Sequence, residues 1–278
     1  TESMSDSAAT QKQFSKSEIA DQLRALGVRT AEVLLVHTSF KSIGSVEGGP
    51  LGLIEVLRDV LGPSGTLAMP SFSNNDDEPF DPATTPASPD LGIVASTFWR
   101  LPGVRRSNHF SAFAAIGPYA AAIVADPLSL PPHTPASPAG RVYDLGGEVL
   151  MIGVGHEADT MLHLAEVIAD VPYRVPRHCT VMRDGHAVRI DYNENDHCCA
   201  LFSNADTWLR RHGFQSEGRI GYARARLARA RDIVTVAVEH LKRDPLAFLH
   251  PPQAKCAECD AARRSIPKLM IDQARSQL

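Results

Sequence analysis

The spacing of apolar positions predicts alternating helices and strands in the first part of the chain. Ser15 and Glu18 have the spacing of a capping box, and the amphipathic stretch behind them stops at Gly27, which is typical of a helix. Two continuous apolar runs of strand length follow, 33–36 and 65–70, and a second amphipathic stretch, 51–61, lies between them. Because this alternation is typical of strands joined by helical crossovers, we predict an α/β fold with a largely parallel central sheet flanked by helices.

The second half of the chain predicts a hairpin and a helical C-terminal elaboration. Apolar and polar positions alternate over 180–192 around Asp184-Gly185, whereas 224–242 has the pattern of one long helix. The sequence shows neither an internal repeat nor a linker. We therefore predict a single domain over 14–278, preceded by a polar, disordered tail over 1–13.

Two long loops and one glycine turn are the candidate functional segments. Residues 74–91 are polar, acidic and broken by prolines, and 128–140 is also proline-rich. A third apolar run, 149–152, leads into a glycine turn and then a helical stretch that together carry His156 and His163. Ligands of open α/β sheets bind at the carboxyl ends of strands, so we expect the chemistry at this turn.

Composition narrows the class of partner. The net charge is −4 without a long basic block, so the chain lacks the electrostatic pattern of a nucleic-acid-binding protein. A cationic substrate fits this charge better than an anionic polymer does. No apolar run approaches the roughly 18 residues of a membrane span, and the first residues lack a signal-peptide core. We expect a cytoplasmic monomer or homodimer that binds small molecules rather than membranes or nucleic acid.

The cysteines suggest a metal site. All of them follow residue 178, and Cys256 and Cys259 have the C-x2-C spacing with which two thiolates bind one ion. His250 and Cys198 are candidate further ligands of a structural zinc, and His197 is an alternative ligand. Buried free thiols remain the alternative, since one such pair is a weak signal.

Several ordered motifs resemble the aminoglycoside 3-N-acetyltransferase family, which uses acetyl-coenzyme A and differs from the GNAT acetyltransferases. The resemblance runs from about Ser15 to Ile266. The motifs shared with the whole family are 37–44, 106–109, 137–138, 153–156 and 162–166. Those similar to the type IV members, which act on apramycin, gentamicin and tobramycin, are 76–84, 175–179, 194–199 and 250–252. One departure is Phe110, where the family usually has proline.

The resemblance implies transfer of acetyl to the 3-amine of the deoxystreptamine ring, and hence antibiotic resistance. The family's catalytic histidine maps onto His163, and a histidine suits the removal of a proton from an ammonium group. A carboxylate should orient its ring; Glu166, Glu194 and Asp196 are candidates, with Glu166 three residues further along the same helix. His37, which also follows a strand, is a second candidate base.

Hydroxyl and basic side chains are candidates for binding coenzyme A. The loop after the first predicted strand offers hydroxyls and free backbone donors near His37: Thr38, Ser39, Ser42 and Gly44. Arg105 and Arg106, with Ser107 and His109, form a second candidate clamp because guanidinium groups bind phosphate through paired hydrogen bonds. Ser137 is a further candidate contact.

Carboxylates are candidates for binding a polycationic aminoglycoside. By resemblance to type IV members, Asp76, Glu194 and Asp196 line the substrate site, and Asp206 is a weaker candidate. An acetyl-cysteine intermediate is the alternative mechanism, which we rank low because no cysteine lies between 153 and 166. Two other functions stay open: a noncatalytic aminoglycoside-binding protein, and a metal-dependent amidohydrolase that uses His37, His156 and His163.

Overall fold

The structure, a computed structural model, describes residues 12–125 and 128–267. Most of the predicted N-terminal tail, 1–11, lies outside the described residues, and Gln13 at its end pairs with Ser45 in a short parallel sheet. The strands are β1 (Gln13–Phe14), β2 (Val33–Thr38), β3 (Ser45–Val46), β4 (Thr66–Pro70), β5 (Arg105–Arg106), β6 (Phe113–Ile116), β7 (Glu148–Ile152), β8 (Val175–Arg183), β9 (His186–Glu194), β10 (Gln215–Ile220) and β11 (Ala223–Arg229). The α-helices are α1 (Lys16–Leu26), α2 (Phe40–Ile43), α3 (Gly49–Leu61), α4 (Gly92–Phe98), α5 (Ala120–Val124), α6 (Pro138–Asp144), α7 (Thr160–Ala169), α8 (Asn204–His212), α9 (Ala230–Arg243) and α10 (Ala257–Arg264).

The α/β fold is confirmed, but the prediction of a largely parallel sheet is wrong. Within the described residues, seven strands form a mixed sheet in the order β10-β11-β7-β2-β4-β6-β5. Only the central β7-β2-β4 pairs are parallel, and the pairs outside them are antiparallel. Short connections join β10 to β11 (221–222) and β5 to β6 (107–112), and they are too short for the crossover that a parallel pair needs.

The long helix predicted over 224–242 is wrong in its first part. Residues 223–229 form β11, and α9 begins at Ala230. Ala223, Ala225 and Leu227 are buried, whereas Arg224 and Arg229 are exposed. This period of two fits a sheet, and pairing with β7 and β10 overrides the good helix propensity of alanine and arginine.

The capping box and the hairpin are confirmed. The Ser15 side chain accepts a hydrogen bond from the Glu18 backbone (3.1 Å), and Glu18 accepts one from the Ser15 backbone (2.8 Å). Strands β8 and β9 pair in antiparallel register around Asp184 and Gly185, both at positive φ. Local turn chemistry therefore fixed both elements.

Two apolar layers cover the two faces of the mixed sheet. One contains α7 and α9, and the other contains α1 and α3. With both faces covered, β2, β4 and β7 are entirely or almost entirely buried, and the edge where their carboxyl ends meet is left for binding. None of the helices in the described part of the chain has the length and apolar character needed to cross a membrane.

Candidate active site

A cavity of about 620 Å³ opens at the carboxyl ends of the central parallel strands. Its wall includes His37 and Thr38 at the end of β2, Asp76 after β4, and Thr160 and His163 after β7. This volume lies within the range of small-molecule sites. The cavity therefore occupies the place predicted for a ligand in an open α/β sheet.

The glycine turn after β7 places His163 in the cavity wall. Gly153 has φ of 69°, and a Cβ there would lie 2.7 Å from the Ser42 side chain, so a larger residue would clash and strain the backbone. Asp159 caps α7 by accepting a hydrogen bond from Met161 N at 3.0 Å. His163 is then the fourth residue of α7, with its side chain 24% exposed.

Glu166 is a fully buried carboxylate at the centre of a hydrogen-bond network. Its Oε2 lies 3.2 Å from Nδ1 of His163, and its Oε1 lies 2.7 Å from Nε2 of His197. The Tyr173 hydroxyl donates a further bond to Oε1. Three partners compensate for burying the charge, and the bond to Nδ1 leaves Nε2 of His163 for other partners. Sequence analysis missed Tyr173 and considered His197 only as a metal ligand.

The environment of His163 favours its charged form. Burial lowers its pKa, but the Cys199 sulfur and the Glu166 carboxylate outweigh burial and raise it well above 6.5. Burial also disfavours the Glu166 carboxylate, yet hydrogen bonds from His163 and His197 bring the pKa of Glu166 below its usual value. The two groups therefore stabilise each other as an ion pair.

His133 is a further site residue that sequence analysis did not assign to the chemistry. Its ring stacks on that of His163, with centroids 5.2 Å apart and planes 17° apart. Burial, His163 and His109 lower the pKa of His133 to about 3, so its ring is neutral. The signal available in the sequence was the proline-rich loop 128–140, where His133 adopts a positive φ of 63°.

His37 and His156 differ from His163 in their surroundings. Burial lowers the pKa of His37 to about 4, and its Nε2 lies 3.4 Å from the Thr160 hydroxyl. A base this weak is poorly suited to proton transfer at neutral pH. The difference in pKa therefore favours His163 over His37. His156 is buried between Asp159 (3.0 Å) and Gln215 (2.7 Å), so its ring has a structural position.

Cys199 lies beside the candidate base, contrary to the sequence argument that no cysteine is near it. Its Sγ is 3.6 Å from Nε2 of His163, although the two residues are 36 positions apart. The argument was wrong because it considered only cysteines close in sequence, while the segment after β9 folds back against α7.

The candidate coenzyme A loop has donors of different availability. Ser39 N–H donates to Ile152 O, and the Ser39 and Ser42 hydroxyls lie 2.9 Å apart near the surface. Gly44 packs against the ring of Tyr222. By contrast, the buried Thr38 hydroxyl in the cavity wall has no hydrogen-bond partner among the described residues. No protein group among the described residues engages this hydroxyl.

Arg106 is bound internally instead of facing an open phosphate site. Its guanidinium donates to Ser71 O (2.7 Å) and Thr85 O (2.6 Å), and it lies over the rings of Phe80 and Trp99. Burial lowers the pKa of Arg106 to about 10. These contacts fasten loop 74–91 to the sheet, so the predicted phosphate clamp is not supported at Arg106.

The other residues of the predicted clamp also lie in local structure. The Ser107 hydroxyl is fully buried and accepts a hydrogen bond from Phe113 N (3.1 Å). His109 is buried near His133, and Arg105 is exposed. Ser137 caps α6 by accepting a hydrogen bond from Gly140 N (3.3 Å). The buried serines are therefore engaged in turns and caps.

Carboxylates line one side of the cavity as predicted from the sequence. Asp76, Glu194 and Asp196 belong to this wall. Arg177 forms two hydrogen bonds to Asp196 Oδ2, the one from Nε at 2.6 Å. Burial, together with the charge of Asp196, raises the pKa of Glu194 to about 7. Near pH 7 Glu194 is therefore partly protonated, and a cation in the cavity would favour its carboxylate form.

Asp206, the remaining predicted substrate residue, lies in an ion-pair cluster and does not line the cavity. Its Oδ1 accepts hydrogen bonds from Arg226 Nε and Gln215 Nε2, both at 2.8 Å, and Arg210 pairs with Oδ2. Although burial disfavours its charge, these partners lower the pKa of Asp206 to about 2. The structure gives Asp206 a bridging role between α8 and the β10–β11 hairpin.

The structure brings the predicted metal ligands together. Cys198, His250, Cys256 and Cys259 place one ligand atom each within 4.8 Å of all the others. The histidines of the amidohydrolase alternative, His37, His156 and His163, do not belong to such a group among the described residues.

Comparison with known proteins gives a consistent result over most of the chain. The family model described as aminoglycoside 3-N-acetyltransferase matches residues 35–242. The chain is 61% identical to aminoglycoside N(3)-acetyltransferase IV from Salmonella sp. over 243 residues, which cover 87% of this chain and 93% of the relative.

Solved structures agree with this similarity. The crystal structure of aminoglycoside acetyltransferase AAC(3)-IVa, solved as the apoenzyme and as a histidine-to-alanine variant in complex with a gentamicin, superposes with a TM-score of 0.91 at 61% identity. The match covers 93% of this chain and 100% of that one. AAC-IIIb in a binary complex with CoASH is more distant, with a TM-score of 0.76 and 27% identity over 84% of this chain and 97% of that one.

Proposed function

The chain belongs to the aminoglycoside 3-N-acetyltransferase family, and we propose that it transfers acetyl from acetyl-coenzyme A to the 3-amine of the deoxystreptamine ring with His163 as general base. Acetylation would remove a positive charge from the antibiotic and so confer resistance. The observation that carries this proposal is that His163, in the wall of an acidic cavity, pairs with the buried Glu166 behind it. Membership of a transferase family also decides against the noncatalytic binder and the amidohydrolase.

The base step requires a neutral imidazole. Glu166 holds Nδ1 of His163, so Nε2 is the atom that accepts a proton from the 3-ammonium group. The freed amine nitrogen then attacks the carbonyl carbon of the thioester. The C–S bond breaks as the tetrahedral intermediate collapses, and the proton held by His163 passes to the leaving coenzyme A thiolate. Glu166 stabilises the imidazolium between these two proton transfers. The second proton of the attacking nitrogen is released to water as the neutral amide forms.

The developing oxyanion needs a hydrogen-bond donor near the cavity. The Ser39 backbone N–H belongs to the loop whose donors the sequence analysis singled out. It donates to Ile152 O and is therefore already engaged. Thr38 lines the cavity, and its buried hydroxyl has no hydrogen-bond partner among the described residues, so we assign it as the donor. The neutral ring of His37 lies beside it at the end of β2.

The acidic wall fits the substrate class. An aminoglycoside carries several ammonium groups, and Asp76, Glu194 and Asp196 offer carboxylates around one cavity. The complex of AAC(3)-IVa with a gentamicin supports gentamicin as a ligand. The exposed edge of the loop at Ser39 and Ser42 is the side from which we expect coenzyme A to enter, and the AAC-IIIb complex with CoASH supports the cosubstrate.

The contact between Cys199 and His163 favours one alternative mechanism, in which the thiolate first takes the acetyl group. Replacement of Cys199 by alanine separates the two. Under direct transfer, the variant keeps turnover within about tenfold of the wild type, because the base is intact. Loss of turnover, together with an acetylated Cys199 in mass spectra of the wild type, would establish the acyl-enzyme route.

Release of free thiol from acetyl-coenzyme A on addition of gentamicin tests the function. We expect release by the wild type, with the acetyl group on the 3-amine when the product is analysed by NMR. His163→Asn should abolish release while gentamicin binding stays measurable by calorimetry. His186→Asn, at the exposed tip of the β8–β9 hairpin, is the matched control and should behave as the wild type. Near-normal turnover by His163→Asn would overturn the assignment of the base.

A further inference from the structure

The four residues at the C-terminal end of the fold have the geometry of a zinc site. Cys198 Sγ lies 3.3 Å from His250 Nδ1 and 3.6 Å from Cys259 Sγ, and Cys259 Sγ lies 3.6 Å from His250 Nδ1. With Zn–S of about 2.3 Å and Zn–N of about 2.0 Å, the ligand atoms of a tetrahedral site lie roughly 3.5–3.8 Å apart. These three separations lie close to the edges of such a tetrahedron, and Cys256 Sγ lies within 4.8 Å of the other three ligand atoms. They exceed the S–S distance of a disulfide, which is about 2.05 Å.

The donor set is that of a structural site. Three thiols and one imidazole supply four ligands, which leaves no position for a substrate or water. Cys256 and Cys259 lie at the start of α10, while Cys198 and His250 come from two other segments. An ion bound here would join the segment after β9 to segment 250–259, since Cys198 lies 52 positions before His250.

Helix α10 buries little apolar side chain. Its buried residues are Cys259 and Ala262, which are both small, and the rest of its eight residues are exposed or half-buried. Apolar burial by two small side chains stabilises a helix weakly. A metal cross-link would stabilise the attachment of α10 to the rest of the fold, since metal binding is coupled directly to folding.

Segment 195–199 connects this cluster to the base. Asn195 donates to Tyr173 O (2.9 Å), His197 bonds to Glu166 (2.7 Å), and Cys199 contacts His163. Cys198 lies between the two residues that contact the Glu166–His163 pair, and its own side chain points to the cluster. Cys199 has a positive φ of 59°, a conformation that costs energy unless its surroundings hold it.

We propose that Cys198, His250, Cys256 and Cys259 bind one structural zinc ion, which holds His197 and Cys199 in place against Glu166 and His163. The metal site does not depend on the proposed reaction, whereas its effect on the base rests on it. Cys198 is thus a positioning residue that acts through its neighbours.

Metal content tests the site. The full chain is purified without a histidine tag from zinc-supplemented cells, and zinc is measured by plasma mass spectrometry. We expect one zinc per chain in the wild type, its loss in Cys256→Ser and its retention in Cys256→His, since histidine is also a zinc ligand. Cys179→Ser, which removes a buried thiol elsewhere, should keep the metal. A zinc-free wild type, or full zinc in Cys256→Ser, would overturn the site.

Cobalt gives a measurement that does not depend on the folding of a variant. Co²⁺ exchanged into the wild-type chain should show intense thiolate charge-transfer absorption and the d–d bands of a tetrahedral complex. Weak absorption of an octahedral kind would contradict the proposed ligands. Loss of these bands on addition of zinc would show that the two metals share the site.

Removal of the ion tests its effect on the base. At a temperature where the stripped chain remains folded by circular dichroism, we expect kcat to fall at least about tenfold and to recover with zinc, while the Kd for gentamicin changes less than about threefold. An unchanged kcat after complete loss of zinc would overturn the positioning role and leave the metal site standing. A zinc-loaded wild type without acetyl transfer would instead contradict the proposed function.

Discussion

The Nδ1 atom of His163 lies 3.2 Å from Oε2 of Glu166, three residues further along α7. The helix itself sets this separation, because side chains at i and i+3 lie on one face. His197 and Tyr173 bind the other oxygen of the carboxylate, which is fully buried. Glu166 is thereby held in one orientation, and it fixes the ring of His163 so that Nε2, 3.6 Å from Cys199 Sγ, is the nitrogen left for the proposed proton transfer.

Replacement of Glu166 by glutamine should slow the enzyme by at least about tenfold in kcat, because the imidazolium loses the charge that stabilises it. It should also lower the pKa of His163, since the carboxylate is one of the groups that raise it. Steady-state kinetics over a range of pH measures both effects. Glu239→Gln, on the exposed side of α9, is the control with unchanged kinetics. An unchanged pH profile in Glu166→Gln would contradict the pairing.

Activity and stability should depend on pH in opposite directions through His163. Its pKa is raised well above 6.5, so activity that needs the neutral ring increases as pH rises through the folded-state value. The ion pair contributes stability that is fully present below pH 6.5, the usual pKa of histidine. This stability is lost as pH rises through the higher pKa of the folded state. The charged or titratable groups around the ring are Glu166, Cys199, His197, Glu194 and the neutral His133. Kinetics and denaturant unfolding of the wild type and His163→Asn check both trends, and parallel trends would contradict them.

Gentamicin binding near pH 7 should release protons from Glu194. Its pKa is raised to about 7 by burial and by Asp196, and ammonium groups in the cavity favour the carboxylate. Calorimetry in two buffers of different ionisation enthalpy measures the release, which should decrease in Glu194→Gln and persist in Glu239→Gln.

Glu194 should also affect the stability of the free protein. Because its pKa is raised in the folded state, its contribution to the free energy of unfolding should fall as pH rises from about 4.5 to 7, and Glu194→Gln should remove this dependence.

Replacement of Asp206 by asparagine should destabilise the fold without weakening substrate binding. The carboxylate holds Arg226 and Gln215, so its loss should lower the free energy of unfolding by about 1–3 kcal/mol. The pKa of Asp206 is lowered to about 2, so its contribution is present above the unfolded value near 3.8 and lost as pH falls through about 2. Denaturant unfolding and the KM for gentamicin check this; a raised KM with unchanged stability would restore Asp206 as a substrate residue.

The parts of the fold that the sequence predicted correctly are those with local causes. The helix capped by Ser15 and the hairpin around Gly185 depend on contacts within a few residues. The strand direction at the edges of the sheet and the start of α9 were predicted wrongly. In both cases pairing between strands, which the local pattern does not specify, overrode the expectation.

The candidate site divides in the same way. Arg106 has the residue type of a phosphate ligand, but the tertiary structure surrounds it with carbonyl oxygens and aromatic rings. Asp206 has the charge of a substrate ligand, but it faces arginines. Residue type predicts what a side chain can bind, and only packing decides which partner reaches it.

The sequence by itself determined the elements whose partners are near in the chain: the pair of His163 and Glu166 on one helix, the turn that places them after β7, and the C-x2-C of Cys256 and Cys259. Only the tertiary structure decided that His133, His197 and Cys199 meet at His163, and that Cys198 joins the metal cluster. The reason is physical. Backbone geometry fixes contacts within a helical turn, whereas contacts between distant segments form only where packing buries charges together with their hydrogen-bond partners.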